Sequence, residues 1–361
     1  MDGKHTILVC PLDWGLGHAS RCIPIINHYL EQGDRVVVAG YGQSLQLLKN
    51  EFPSLGFFHM KGFCVTYTPH KQLWRKLMWQ LPNFLWHTFR EHWETKRLVK
   101  QIAPQLIISD NRYGVRHPHV KSVIITHQLN PQIPQWLSPI GKIASLVLHF
   151  WIIRFDECWV PDFKDRRISG RLSEPLFPNP KIKYVGPLSR FAKAESFKQN
   201  NTQANKEALI VSGLEKPFII AVASGPDPQR TIFTDILKRQ LPRLRLPAIL
   251  VLGTPSEAFA VQQTGRLSIV PHLPTNQMEN LLRRCEMVIC RSGYSSVMDL
   301  CAMGSKAILI PTPGQSEQEY LAKHLWESGL FYTVNQSKIN LQADIHEAVR
   351  FYQIAKRAEM P

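Results

Sequence analysis

One rhythm runs through this chain: a short apolar run stops at a turn rich in glycine or serine, a helical segment follows, and another apolar run begins. Residues 6–11, 35–39, 106–109, 123–126, 158–161 and 184–186 are such runs. Apolar runs without polar alternation are what strands covered on both faces look like. With helices between them they imply a parallel sheet sandwiched by helices. Helical patterns at 20–32, ended by Gly33, and at 43–52, ended by Pro53, fill the first intervals. A polar stretch, SFKQNNTQANKEA, then interrupts the rhythm and has no apolar period. Beyond it the alternation restarts, with runs at 218–223, 248–252, 267–270, 287–290, 307–311 and 331–334 and a helical tail at 343–357. The expected architecture is α/β, with two doubly wound, Rossmann-like domains facing across a cleft. The first spans 1–188, a linker 189–213, and the second domain 214–342. A terminal helix in 343–361 has the option of packing back on the N-terminal domain. In such sheets ligands sit at the C-terminal ends of the strands.

The seven cysteines are scattered, odd in number and free of C-x-x-C spacing. That pattern predicts reduced thiols in a cytoplasmic protein, without disulfide or zinc framework. No leader is expected, since MDGKHTILVC runs directly into a strand. The longest apolar run, 143–153, is too short to span a bilayer. The net charge of +15 favours anionic partners. There is no basic tail, zinc finger or aromatic RNP-type strand, so nucleic acid ranks below a phosphate-bearing substrate or an anionic membrane surface on the inner face. Residues 69–100 carry Trp74, Leu77, Met78, Leu81, Leu85, Phe89 and Trp93 at helical spacing, with Lys71, Arg75, Lys76, Arg90, Lys96 and Arg97 between them. The stripe fits either a crossover helix packed on the sheet or a helix lying in a membrane interface. Pro82 is expected to split the segment into two helices.

The turns carry the chemistry. After the strand at 287–290 come Arg291, Ser292 and Gly293, then a helix opening with Ser295 and Ser296 and bearing Asp299 one turn in. Free N–H groups and the helix dipole there suit a diphosphate, and the acid on the same face suits two sugar hydroxyls. An ordinary βα corner capped by Ser292 uses the same residues. In the first turn, PLDWGLGHASR, Gly15 and Gly17 allow close backbone approach. The third glycine of a dinucleotide fingerprint is missing, and no acid follows the second strand, which argues against NAD. His18 enters the helix there and is a candidate general base. Asp110 ends a strand and is a candidate to orient His18. Ser224 and Gly225 end the first strand of the second domain and face a diphosphate. His272 and Leu273 follow another strand and are candidates to border a base, though a plain turn uses the same residues. Gln318 and Glu319 open a helix after Gly314 and are in reach of sugar hydroxyls. D-x-D, H-E-x-x-H and clustered Cys/His patterns are absent, so a metal-free site is expected.

Together these residues resemble the family-28-like GT-B glycosyltransferases. The group includes the lipid-linked N-acetylglucosaminyltransferase of peptidoglycan synthesis and related UDP-sugar transferases. The resemblance rests on Gly15 to His18, on Ser224–Gly225, on Arg291–Ser292–Gly293 with Asp299, and on the pair Gln318–Glu319; it is densest over residues 270–325. It implies a metal-independent transfer of a sugar from a nucleotide-sugar donor, UDP-linked, to an acceptor hydroxyl, lipid-linked or at the membrane surface. No cofactor beyond the donor is implied. By resemblance Asp299 would bind the ribose, Ser224, Gly225 and residues 292–296 the diphosphate, and His272–Leu273 the uracil. Gln318 and Glu319 would meet the donor sugar, His18 would be the base, and Gly17 is counted with the donor-binding residues. Two positions depart from the pattern. Asp299 stands where the family usually has the longer Glu, and Glu319 where the peptidoglycan enzyme has Gln. Two rival functions fit the same composition: a nucleotide-sugar epimerase on this fold, and a non-catalytic membrane-surface or polyanion-binding protein.

Overall fold

A computed structural model describes residues 5–62, 73–131, 138–191, 217–254 and 257–358. The chain divides into two compact units, Met1–Ser189 and Arg190–Pro361.

The N-terminal unit is built on strands β1 (Thr6–Cys10), β2 (Arg35–Gly40), β3 (Gly56–His59), β4 (Leu106–Asp110), β5 (Lys121–Ile125), β6 (Glu157–Val160) and β7 (Ile182–Tyr184). They lie in the order β3-β2-β1-β4-β5-β6-β7, all parallel. Helices α1 (Leu16–Glu31), α2 (Gly42–Glu51), α3 (Leu73–Ile102) and α4 (Ser138–Ile152) connect them. Alternate residues of β1 feed opposite faces: Ile7 and Val9 join one core with Ile23, Ile26 and Leu48, whereas Leu8 and Cys10 join another with Met60, Leu98 and Ile107. Burial on both faces is why the strands read as continuous apolar runs. The chain steps outward from β1 to β2 in one direction and from β1 to β4 in the other. The β1/β4 boundary is therefore the switch point of the sheet.

Helix α3 runs unbroken through Pro82, against the expected division into two helices. The proline removes one backbone donor, at a cost of about 3 kcal/mol. The long helix absorbs it because its second half is tied down by Thr88, Glu91, Thr95 and Leu98, all buried. That buried face is largely polar. Thr88 and Thr95 donate their hydroxyls to the carbonyls of Phe84 (2.9 Å) and Glu91 (2.7 Å). Glu91 accepts from Arg112 Nε at 2.9 Å. The aromatic residues face outward, with Trp86, Phe89 and Trp93 each more than half exposed. In its described part the helix thus turns these aromatics to solvent, while Phe84, Leu98, Val99 and Ile102 pack on the cores of the unit. The side chains of residues 73–81, including Trp74, Leu77 and Met78, and the whole of Lys71 lie outside the described residues.

The C-terminal unit has strands β8 (Ile219–Val222), β9 (Ala248–Val251), β10 (Gln262–Thr264), β11 (Leu267–Val270), β12 (Met287–Cys290), β13 (Ala307–Leu309) and β14 (Tyr332–Thr333), in the order β10-β11-β9-β8-β12-β13-β14. Only β10 is antiparallel, pairing with β11 as an exposed edge hairpin around Gly265. Helices α5 (Gln229–Gln240), α6 (Thr275–Arg284), α7 (Tyr294–Met303), α8 (Ser316–Glu327) and α9 (Leu341–Ala358) complete it. The switch point lies between β8 and β12, paired as Val222↔Cys290.

Helix α9 packs within its own unit. Its apolar residues Leu341 and Ala348 enter the core of the C-terminal unit. The Tyr352 hydroxyl donates to the Ala307 carbonyl (2.8 Å) and accepts from the Ala307 N–H (2.9 Å), stapling the helix to β13. The expected linker also begins later than 189: Arg190 is nearly buried and Phe191 buried. Residues 192–213 of that linker lie outside the described residues. Burial pushes the thiols of Cys10, Cys158 and Cys290 up to about 12, as expected of inert core cysteines. Among the described residues no helix is long and apolar enough to cross a membrane.

Candidate active site

The β1–α1 turn closes on Gly15, whose φ of 125° an L side chain rarely adopts. Helix α1 then starts at Leu16 without a side-chain cap from Gly15. His18 and Arg21 are three residues apart and share a helix face. Both point to Asp110, which ends β4 beside β1.

The resulting network is compact. His18 Nδ1 lies 3.0 Å from Asp110 Oδ2. Arg21 Nε donates to Asp110 Oδ1 at 2.8 Å, and Arg21 Nη2 also donates to Oδ1. The same Nη2 is 2.8 Å from His18 Nδ1, and Nη1 is 3.4 Å from His127 Nδ1. Asp110 is fully buried and Arg21 only 1% exposed, whereas His18 keeps 17% of its side chain accessible. Burial alone would raise the Asp110 carboxyl, but Arg21 and His18 outweigh it and hold it below the usual carboxylate value. Burial lowers His18, and Arg21 adds to that effect against the pull of Asp110.

The residues just after β4 keep Asp110 in place. Asn111 adopts φ 56°, a left-handed conformation asparagine tolerates. The buried Arg112 pairs with Glu91 of α3 and donates to the Met60 carbonyl at 3.2 Å. Gly114 presses on α3 so closely that a Cβ there would sit 2.1 Å from the Thr88 carbonyl oxygen. Larger residues are excluded by that approach alone.

In the C-terminal unit the turns after β8 and β12 flank the switch point. Gly225 has φ 103°, leaving its side of the Ser224–Gly225 turn open. Gly293 precedes α7, which has no side-chain cap, so the N–H groups of its first turn, with Ser295 and Ser296, are not taken up by one. Asp299 follows on the same face, 17% exposed. Arg190 Nε lies 3.9 Å from its Oδ2. Burial first, and Arg190 second, lower His272 to about 4, so the imidazole at the end of β11 is neutral. Arg190 thereby links the β11 turn to α7.

Several of the expected residues also brace the turns through hydrogen bonds of their own. Arg291 is buried, donating to the carbonyls of Ile310 (3.4 Å), Pro311 (3.3 Å) and Gln229 (3.1 Å) and stacking 4.0 Å from the Phe233 ring centroid. Burial lowers it to about 10. It ties the β12 turn to β13 and α5, with its guanidinium spent on carbonyls. The Ser292 hydroxyl donates to the Gln318 carbonyl at 2.8 Å. Gln318 Oε1 accepts from Thr312 N–H (2.9 Å) and Glu319 Oε1 from Gly314 N–H (2.8 Å), so both side chains shape the loop before α8. A Cβ on Gly293 would meet Gln318 Nε2 at 3.9 Å, so that amide stays close to the turn. The Leu273 side chain is buried in the core.

The sequence expectations missed Arg21, His127, Arg190 and the Glu91–Arg112 pair. Arg21 alone carried a local signal, its i+3 spacing from His18.

Known proteins share this architecture. Residues 244–360 match the glycosyltransferase family 28 C-terminal domain. An uncharacterized glycosyltransferase of Methanosarcina acetivorans is 24% identical over 331 residues, covering 87% of this chain and 80% of that protein. A UDP-N-acetylglucosamine--N-acetylmuramyl-(pentapeptide) pyrophosphoryl-undecaprenol N-acetylglucosamine transferase of Histophilus somni is 24% identical over 261 residues, covering 69% of this chain and 64% of that protein. The crystal structure of the glycotransferase of kitacinnamycin superposes with a TM-score of 0.61 at 13% identity, covering 98% of this chain and 94% of that one. The two Rossmann-like units give this chain the fold of the GT-B glycosyltransferases. Residues 244–360 are similar to the C-terminal domain of the family-28 members of that fold.

Proposed function

We propose that the chain moves a sugar from a UDP-linked donor to an acceptor hydroxyl without a metal ion. The observation that carries this reading is the uncapped start of α7 behind Gly293, with Asp299 one turn inside the helix. The α7 N–H groups and the Ser224–Gly225 turn take the diphosphate, whose charge the helix dipole offsets as it leaves. Asp299 accepts from the ribose hydroxyls, and Arg190 steadies it from 3.9 Å. The neutral His272 and the Leu273 backbone border the uracil, while Gln318 and Glu319 meet the donor sugar. His18 Nε2 takes the proton of the acceptor hydroxyl, with Nδ1 held by Asp110. The acceptor oxygen bonds to the anomeric carbon as the bond from that carbon to the diphosphate oxygen breaks. The matching family and relatives are glycosyltransferases, which supports transfer over epimerisation. Incubating the protein with a small panel of UDP- and GDP-sugars and following nucleotide release tests the donor class. UDP release is expected; exclusive GDP release, or none from any sugar, counts against it.

The acceptor is presented at an anionic membrane surface. Support comes from the exposed aromatics of α3. Trp86, Phe89 and Trp93 lie outward, Arg90 sits 5.8 Å from the Trp86 ring and Lys96 5.6 Å from that of Trp93. Helix α4, joined to α3 through Tyr113, likewise exposes Phe150 with Arg154 stacked on it at 4.3 Å. Exposed aromatics among cations are how proteins hold an interface. The Histophilus relative, by its name, acts on an undecaprenol-linked acceptor. The protein should co-float with vesicles containing anionic lipid, and replacing Trp86, Phe89 and Trp93 together with serine should abolish it. Equal flotation of the triple variant would remove α3 from this role.

A further inference from the structure

Arg21 has no part in the proton transfer assigned to His18, yet it occupies the centre of the His18–Asp110 network. Its Nε and Nη2 both go to Asp110 Oδ1, leaving only Oδ2 for His18. A carboxylate whose charge is matched by a guanidinium attracts an imidazolium less than a lone carboxylate does. Nη2 also stands 2.8 Å from His18 Nδ1. That nitrogen has one role at a time. As N–H it donates to Asp110 and leaves Nε2 with a free lone pair. As a bare nitrogen it accepts from Arg21 and Nε2 carries the proton. A doubly protonated ring would set its Nδ1–H against the Arg21 N–H and its charge against the guanidinium. The titratable and charged groups facing His18 within its unit are Asp110 from β4, Arg21 from α1 and His127 after β5. Among them Arg21 is the one permanent cation.

We propose that Arg21 is a positioning residue for sugar transfer, which matches the charge of Asp110 and keeps His18 an uncharged base down to mildly acidic pH. This rests on the reading of His18 as the base. The contacts set the direction. Without the guanidinium, Asp110 would stabilise imidazolium and His18 would protonate at higher pH. A base must be unprotonated to act, so activity would then fall away at a higher pH on acidification.

The test pairs kinetics with spectroscopy, using the whole chain. In R21M the acid limb of the kcat/KM profile should move upward by about one pH unit, a roughly fivefold loss at the wild-type midpoint that approaches about tenfold below it and shrinks as pH rises. In R21K, which keeps the charge but not the fork, the limb should move less. Structural damage alone would lower kcat/KM equally at every pH, and that result overturns the proposal. NMR titration of ¹⁵N-labelled histidine, without donor, reads His18 directly even where R21M does not fold. Wild-type His18 should titrate below the ordinary histidine value of about 6.5 and R21K should move it upward. A wild-type midpoint at or above 6.5, or no movement in R21K, also overturns it. If the NMR shift appears while H18A transfers at the full rate, the base assignment fails and the effect of Arg21 on His18 stands.

Discussion

Replacing His18 with alanine should lower sugar transfer by about 10²–10⁴-fold, the usual contribution of a positioned general base, while UDP affinity stays near the wild-type value. The two readouts separate because His18 belongs to the N-terminal unit, whereas every residue proposed for the donor lies beyond Arg190. The substitution removes a side chain that is already part-exposed, so little core packing is lost. Asp110 and Arg21 remain paired in its absence. Stability should therefore hold, and a fall in rate reports chemistry. Transfer within tenfold of wild type in H18A would assign proton removal to another group. A parallel loss of UDP binding would mean that the substitution acts through the fold.

Asp110→Ala is expected to do something different. It strands Arg21, a cation with 1% exposure, beside a network built around the missing carboxylate. Removing one partner of a buried ion pair costs about 3–5 kcal/mol, because the remaining charge stays desolvated without compensation. Urea denaturation of the N-terminal unit should show a loss of that size; a change under about 1 kcal/mol, typical of surface pairs, would contradict the burial argument. The pH dependence has a definite sign. Asp110 titrates below its unfolded value of about 3.9, so the stability it lends is complete above that pH and is lost as pH falls through the folded value. Asp110→Ala should be less sensitive to acid in that window than wild type. D110N, which preserves shape but accepts the guanidinium without charge, should lie between the two.

The parallel sheets and their turns were legible because their causes are local. Continuous apolar runs mark strands covered on both faces, and the glycines at Gly15, Gly225 and Gly293 mark where the backbone must stay open. Features that depend on distant partners were not. Arg21 sits in plain view on α1, but its role exists only because β4 brings Asp110 to it from 89 residues away. The period of α3 announced an apolar stripe without saying which side faces inward. The Glu91–Arg112 pair and the close approach of Gly114 decide that, by burying the polar side. Arg291 and Ser292 belong to the expected phosphate motif by position, yet their side chains point to carbonyls and only the backbone after them is open. Arg190 was hidden by polar neighbours, whose composition made the whole stretch read as linker. A strand of four residues such as β3, two of them Gly56 and His59, carries too little signal to be read alone.

Every donor contact proposed for this chain depends on the α7 turn holding a nucleoside diphosphate. Isothermal titration calorimetry with UDP, comparing wild type with Asp299→Ala, tests it directly. UDP should bind wild type, and the substitution should weaken it by about 10- to 150-fold, corresponding to the roughly 1.5–3 kcal/mol of hydrogen bonds to a charged group. No binding of UDP to the wild-type protein, or equal affinity in Asp299→Ala, would contradict a diphosphate site at this turn.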